Sequence, residues 1–344
     1  MIGKIRGTGS YVPDRVMDNN DLSKFIDTND EWIRERTGIV RRHIIEDDTT
    51  VTMAAKAARR ALEDAGITAE EIDMILLSTV SSNVILPCTA CEVQKIIGAV
   101  NAVCYDINAA CSGFMFAWNS VQAYISAGMI QTALIIGAES LSNILDWTDR
   151  GTAILFGDGA GAAVVTAQEG TLFPAVMHSD GARGDALMGQ SRFRRQESSL
   201  PECTGRHIAA GEAAKPETPI QSVRRFPPET YVRMDGQEVF KFAVRQVPKA
   251  ITELLEKCSK TEDDIDLFIL HQANRRIVEG VAKRLKVELE RFPMNLMEYG
   301  NTSSASIPIL LDELNREGRL KTGMKLVMAG FGAGLSWGAA YMEW

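Results

Sequence analysis

Residues Ala61 to Thr79 (ALEDAGITAEEIDMILLST) recur 193 positions later as Leu254 to Gln272 (LLEKCSKTEDDIDLFILHQ), with identities at Leu62/Leu255, Glu63/Glu256, Thr68/Thr261, Ile72/Ile265, Asp73/Asp266 and Leu77/Leu270. Each copy reads as the end of an amphipathic helix, a turn and a short apolar run of strand length. A second pair aligns at a shift of 190, Gly128 to Thr132 with Gly318 to Thr322, and FGDG (Phe156 to Gly159) resembles FGAG (Phe331 to Gly334) at a shift of 175. Internal self-similarity constrains the fold more than any single motif, because two like units bury their matching faces against each other. The chain therefore reads as two similar α/β halves, 1–170 and 171–344.

The repeat gives position to residues that are weak evidence alone. Cys111 lies in DINAACSGFMFAWNSV, where a β-rich run stops at small residues and a helical pattern begins. The unpaired N–H groups and dipole of a helix start favour an anion, so the expectation is a thiol with a lowered pKa. The alternative is a small buried hydrophobe. His271 ends the apolar run Leu267 to Leu270, and strand ends are where sites gather. Asn301 stands in a Gly-Asn-Thr-Ser turn before a helical pattern, where its simplest role is a cap. A shift of 190 places Cys111 on Asn301, so pseudo-twofold symmetry is expected to aim both helix starts at one centre. Cysteine, histidine and asparagine together suit thioester and acyl chemistry.

These stretches are close enough to a known family to name it. ACSGF around Cys111, HQAN from His271, GNTSSAS around Asn301, FGDGAGA and the terminal GFGAGLSWGAA resemble the beta-ketoacyl-acyl-carrier-protein synthase III branch of the thiolase superfamily, across nearly the whole chain. The resemblance implies a five-layered αβαβα fold, a homodimer, and condensation of an acyl-CoA primer with malonyl-acyl-carrier protein. It also implies roles. Cys111 takes the acyl group, the backbone N–H groups of Cys111 and Ala333 hold the oxyanion, and His271 with Asn301 donate to the enolate formed when malonyl-thioester loses carbon dioxide. Phe331 orients them, and a base role for His271 toward Cys111 stays open. A related condensing enzyme of secondary metabolism shares these motifs, and a silent acyl-CoA-binding subunit is the non-enzymatic alternative.

Coenzyme A brings phosphates and an adenine, for which arginines and an aromatic face are expected. Trp32 and Arg36, four apart in DEWIRERTGI, share a helix face. By resemblance they sandwich the adenine, with Thr28, Arg150, Gly236, Phe240 and Asn274 along the channel; otherwise they are a surface cation–aromatic pair. Gln237 stands where the family carries asparagine. The coenzyme thioester is then a substrate, and no separate cofactor or metal is expected. Cys88-Thr-Ala-Cys91 lacks the second ligand pair a zinc site needs.

The chain's net charge of −8 gives no global attraction to an acidic carrier protein, so a local basic patch is required. Arg276, Lys283 and Arg284 in NRRIVEGVAKRLKV, with Lys241, supply one, unless they form only a solvated face. The acidic balance speaks against nucleic acid. Gly157, Gly159 and Gly161 precede a strand pattern instead of a phosphate-binding helix, so a dinucleotide site is not expected. With 45% hydrophobic residues, no run of membrane-span length and no signal-peptide layout, a cytoplasmic protein without membrane partners is expected. Two departures stand out against the family. A loop of about 186–230, rich in arginine (Arg192, Arg194, Arg195, Arg224, Arg225), reads as an insertion, and Leu86 in the acyl-pocket stretch SSNVILPCTAC occupies an often aromatic position, leaving primer choice open.

Overall fold

The repeated segments fold alike. In this computed structural model, which describes residues 1–172, 175–191 and 228–344, each copy leaves its helix through a left-handed residue, Gly66 (φ +64) or Ser259 (φ +53). A capping box then starts a short 3-10 turn, Thr68 before Ala69–Glu71 and Thr261 before Glu262–Asp264. The shared aspartates explain why the copies keep one register. Asp73 accepts the Gln131 and Thr132 N–H groups at 2.7 and 2.9 Å, and Asp266 accepts the Lys325 N–H at 2.7 Å, so each ties its strand start to the neighbouring parallel strand. The arginines expected of the insertion, Arg192, Arg194, Arg195, Arg224 and Arg225, lie outside the described residues.

The first half runs β1 (Ile2–Tyr11), β2 (Val16–Asp18), α1 (Asn19–Leu22), α2 (Asp30–Thr37), β3 (Arg41–His43), α3 (Thr50–Ala65), β4 (Met74–Ser78), α4 (Thr89–Ile97), β5 (Val103–Ile107), α5 (Gly113–Ser126), β6 (Thr132–Glu139), α6 (Arg150–Ala153) and β7 (Gly159–Gln168). The second runs β8 (Val176–Ser179), β9 (Leu187–Met188), β10 (Arg233–Met234), α7 (Gly236–Lys257), β11 (Leu267–Leu270), α8 (Arg275–Leu285), α9 (Leu296–Tyr299), α10 (Ser306–Arg316), β12 (Lys325–Gly332) and β13 (Ser336–Glu343). One sheet has the order β1-β7-β6-β4-β5 and the other β8-β13-β12-β11, so among the described residues the second repeats four of the first sheet's five strands. In each, a parallel pair adjoins an antiparallel strand, β4/β6/β7 and β11/β12/β13.

Five layers result, as the family resemblance implied. α3 and α4 cover the outside of the first sheet, α7 and α8 the outside of the second, and α5 and α10 lie between the sheets and pack on both. Among the described residues, no helix is long and apolar enough to cross a membrane. α5 shows what a middle layer demands, since GFMFAWNSVQAYIS has apolar residues all round and buries Phe114, Met115, Trp118, Val121 and Ile125. Burying each such side chain stabilises the fold by about 1.5–3 kcal/mol. β9 and β10 pair antiparallel across the inserted segment and join its two ends.

The register of the central turns differs from the sequence reading. The 3-10 turn Ala110–Ser112 before α5 corresponds to Ser303–Ala305 before α10, with Ala110 and Ser303 both left-handed (φ +46 and +50). That shift is 193, as it is for β6 and β12, so Ser304 is the counterpart of Cys111 and Asn301 lies three residues earlier. The shift of 190 is local. α10 has 11 residues against 14 in α5, and the loop after Gly318 restores the missing three before β12.

Close approach of the halves depends on glycine. A Cβ on Gly137 in β6 would lie 2.2 Å from the Ser304 carbonyl oxygen, and one on Gly332 in β12 would lie 2.7 Å from the Cys111 nitrogen. Gly137→Ala is therefore expected to cost about 1–3 kcal/mol through forced backbone displacement, read as a lowered melting midpoint. Gly181→Ala, where a Cβ meets nothing within 4 Å, should stay within about 0.5 kcal/mol of wild type.

Candidate active site

Cys111, His271 and Asn301 come from three separate elements and line one cavity of about 310 Å³. Cys111 belongs to the 3-10 turn ahead of α5, His271 follows β11, and Asn301 follows α9. All three are buried (7%, 2% and 7% exposed), as a water-excluded reaction requires. Cys111 also lines a second cavity of about 700 Å³ with Phe116, Leu141, Ile144, Met188 and Ala333. Cys111, Phe156 and Leu187 border both spaces, so the thiol sits at the neck between them.

The hydrogen bonds define what each polar group has left to offer. Asn301 Oδ1 accepts the Ser303 N–H at 2.8 Å, which orients the amide and leaves Nδ2 as a donor. Its backbone is held by an isolated bridge to Phe156, with Asn301 N–H donating to the Leu155 carbonyl at 2.8 Å and Gly157 N–H to the Asn301 carbonyl at 3.1 Å. Asn301 is thus fixed by a strand-like contact and is not the cap of α10, whose N-cap is Ala305. His271 Nδ1 lies 2.7 Å from Ser306 Oγ, which also receives the Gln272 N–H at 3.3 Å. Since Ser306 Oγ already accepts the Gln272 N–H, its own proton is assigned to Nδ1, and that assignment puts the ring proton on Nε2. Burial pushes the imidazole pKa down to about 3, so the ring is neutral. Phe331 meets it edge to face, with centroids 5.2 Å apart. Two neutral donors, Nε2–H and Nδ2–H, are thereby available to one developing oxyanion.

The thiol departs from expectation. Burial, with the Glu139 carboxylate adding to it, pushes the Cys111 pKa up to about 12, against the opposing influence of the Ser303 side chain and the residue's own N–H. Desolvation of a charged sulfur outweighs the favourable start of the helix, so the resting group is a protonated thiol. Glu139 itself was not singled out from the sequence, although an acid closing the apolar strand TALIIGAE is a detectable signal. It is fully buried and accepts hydrogen bonds from Thr79 Oγ1, Val80 N, Ser81 Oγ, Ser303 Oγ and Ser304 Oγ. Ser306 was likewise missed, because a serine inside a small-residue run has no periodic signature.

Ala333 lines the larger cavity beside Cys111, in a turn pinned to the nucleophile's own turn by Ser112 Oγ donating to the Ser336 carbonyl at 3.0 Å. Arg36, Gly236, Phe240, Asn274 and Arg276 line the smaller cavity with His271. Trp32 stacks on Arg36 at 4.5 Å and carries a second guanidinium, Arg150, at 4.8 Å, so the cation–aromatic pair allowed by the spacing is present. Asn274 caps α8 and reaches the Arg36 carbonyl at 3.1 Å. Thr28 Oγ1 is buried with no hydrogen-bond partner among the described residues. Lys241, Arg276, Lys283 and Arg284 are exposed on α7 and α8, the two helices packed together outside the second sheet. Leu86 is 89% exposed and lines neither cavity of this chain.

Comparison with known proteins agrees with this architecture. Residues 105–181 match the family description 3-Oxoacyl-[acyl-carrier-protein (ACP)] synthase III, and residues 255–344 match its C-terminal description. The chain is 45% identical over 343 residues to the beta-ketoacyl-[acyl-carrier-protein] synthase III of Clostridium novyi and 43% identical over 342 residues to that of Clostridium acetobutylicum, covering 99% of this chain and 98% of each relative. The crystal structure of the 3-oxoacyl-[acyl-carrier-protein] synthase III of Aquifex aeolicus superposes with a TM-score of 0.86 at 39% identity, covering 99% of this chain and all of that one. The chain belongs to the beta-ketoacyl-acyl-carrier-protein synthase III family.

Proposed function

We propose that this acyltransferase starts fatty-acid chains: it moves an acyl primer from acyl-CoA onto Cys111, then condenses it with malonyl-acyl-carrier protein, releasing carbon dioxide and 3-oxoacyl-carrier protein. The observation that carries the assignment of residues is the convergence of two neutral donors, His271 Nε2–H and Asn301 Nδ2–H, on the cavity that holds the thiol. In the first step Cys111 Sγ bonds to the thioester carbonyl carbon, the Cys111 and Ala333 N–H groups hold the oxyanion, and coenzyme A leaves. In the second, His271 and Asn301 stabilise the enolate as the malonyl carboxylate departs, and its carbon attacks the acyl-cysteine. Each donor to such an oxyanion is worth about 3–4 kcal/mol of barrier. These groups suffice for both steps, so coenzyme A enters as substrate and no separate cofactor is invoked.

The smaller cavity suits the coenzyme arm, with Thr28, Trp32, Arg36, Arg150, Gly236, Phe240 and Asn274 along the route. Carrier protein docks at Lys241, Arg276, Lys283 and Arg284. The larger, mostly apolar cavity suits the acyl chain. β5 is an edge strand with Val103 63% exposed, next to a loop whose Ile85 and Leu86 are 60% and 89% exposed. Unprotected edges with apolar neighbours invite pairing, so two chains join at β5 and Leu86 completes the partner's acyl cavity. The working compartment is the cytoplasm.

Intact mass after mixing with acetyl-, butyryl- and isobutyryl-CoA should show one acyl group on wild type and none on Cys111→Ala; no adduct on wild type sinks the assignment. His271→Ala and Asn301→Ala should still acylate but lose malonyl decarboxylation by about 10²–10³-fold. An imidazole titrating near 6.5 charges as pH falls below that value, whereas one held down to about 3 stays neutral. The decarboxylation step should accordingly show no inflection from His271 between pH 8 and 5. Val103→Glu should convert a dimer to a monomer by light scattering.

A further inference from the structure

The buried thiol raises a question that the donors above do not answer, namely where its proton goes. His271 is spoken for, with Nδ1 bound to Ser306 and the proton on Nε2. The titratable groups around Cys111 among the described residues are His271, Arg36 and Arg276 on the smaller cavity and Glu139 behind Ser303, and a guanidinium accepts no proton. Ser303 and Cys111 line the larger cavity together, and the Ser303 side chain is one of the groups that act on the thiol. Ser303 Oγ also donates to Glu139 Oε1 at 3.1 Å. With its single proton directed at Glu139, the Ser303 hydroxyl keeps lone pairs for an S–H beside it, and the row of sulfur, hydroxyl and carboxylate ends in a group sealed from solvent.

We propose that Glu139 is the proton acceptor of the Cys111 thiol, working through the Ser303 hydroxyl. As Sγ bonds to the acyl carbon, the S–H proton passes to Ser303 Oγ and the Ser303 proton passes to Glu139. The carbon–sulfur bond to coenzyme A breaks and its electron pair leaves as the coenzyme thiolate, which takes a proton from water. In the condensation step the new carbon–carbon bond expels the Cys111 thiolate, and Glu139 returns its proton along the same path. The acid therefore holds one proton for the lifetime of the acyl-enzyme.

The surroundings of Glu139 fit this duty. The relay requires an ionised Glu139 at rest, which five donors among the described residues support, and burial makes it more basic than an ordinary carboxylate. Its donors come from both halves, Thr79, Val80 and Ser81 on one side and Ser303 and Ser304 on the other, so its position follows the docking of the two repeats. Glu139 never touches substrate. It is a positioning residue for a proton, and Ser303 is the group that touches the reacting sulfur.

The inference rests on the acyl-transfer reading only for its second readout. The first is the rate of iodoacetamide alkylation at Cys111, followed by peptide mass across pH 6 to 10 in wild type, Glu139→Gln, Glu139→Asp and Ser303→Ala. A relay predicts that Glu139→Gln and Ser303→Ala slow alkylation at pH 7 by about a hundredfold, the scale of general-base assistance, that the gap closes toward pH 10 as hydroxide takes over, and that Glu139→Asp retains part of the rate. If the carboxylate acts only as a nearby charge, Glu139→Gln eases thiolate formation, and an equal or faster rate at pH 7 overturns the proposal. A loss that is the same at every pH overturns it as well, because that marks damaged packing. The second readout is the single-turnover release of coenzyme A from acetyl-CoA, which should follow the same pH pattern. If wild type alkylates with that pattern but never takes up acetyl, the acyl-transfer reading fails while the proton route stands.

Discussion

The meeting of two 3-10 turns between the sheets is the constraint from which the rest follows. Ala110–Ser112 and Ser303–Ala305 approach so closely that the strands facing them carry glycine, Gly137 opposite the Ser304 carbonyl and Gly332 opposite the Cys111 amide. Each half supplies a strand end on which the other half's turn rests. A side chain at either point would separate the halves, and with them the thiol from its partners. The site is thus a product of the repeat's symmetry axis, and it comes into existence only when both halves have folded.

Polar groups in this interior do not pair at random. Asn301 spends its oxygen on Ser303, His271 spends Nδ1 on Ser306, and each retains one N–H toward the cavity. Satisfying one end of a buried side chain fixes which end faces the reaction, so orientation and donor character are set before a substrate arrives. The same economy governs charge. The imidazole is neutral because nothing near it compensates burial, whereas the Glu139 carboxylate is held by five donors. The interior excludes a free ion and admits one that is fully hydrogen-bonded.

Much of the fold was legible from periodicity. The helix, turn and strand copies near 61–79 and 254–272 are marked by capping threonines, whose bonds span three residues and can be read from spacing, and by the repeated Asp73 and Asp266, whose bonds reach 58 and 59 positions along the chain. His271 was legible as the end of an apolar run, and Cys111 and Asn301 as residues at the start of helical patterns. Their register was not: a three-residue difference in the length of α10 moves Asn301 off the symmetry partner of Cys111, and Ser304 takes that place.

What the chain order alone determined was the set of elements, their duplication and the identity of the reactive side chains, because helix and strand periods and capping residues act over a few positions. Tertiary structure decided the protonation state of those side chains. The helix start that favours a thiolate is a local feature, and the desolvation that opposes it comes from residues as distant in the chain as Ser336, 225 positions away, packing around Cys111. Burial is a property of the assembled layers, so neither the raised thiol, the neutral His271 nor the role of Glu139 is written in any single segment.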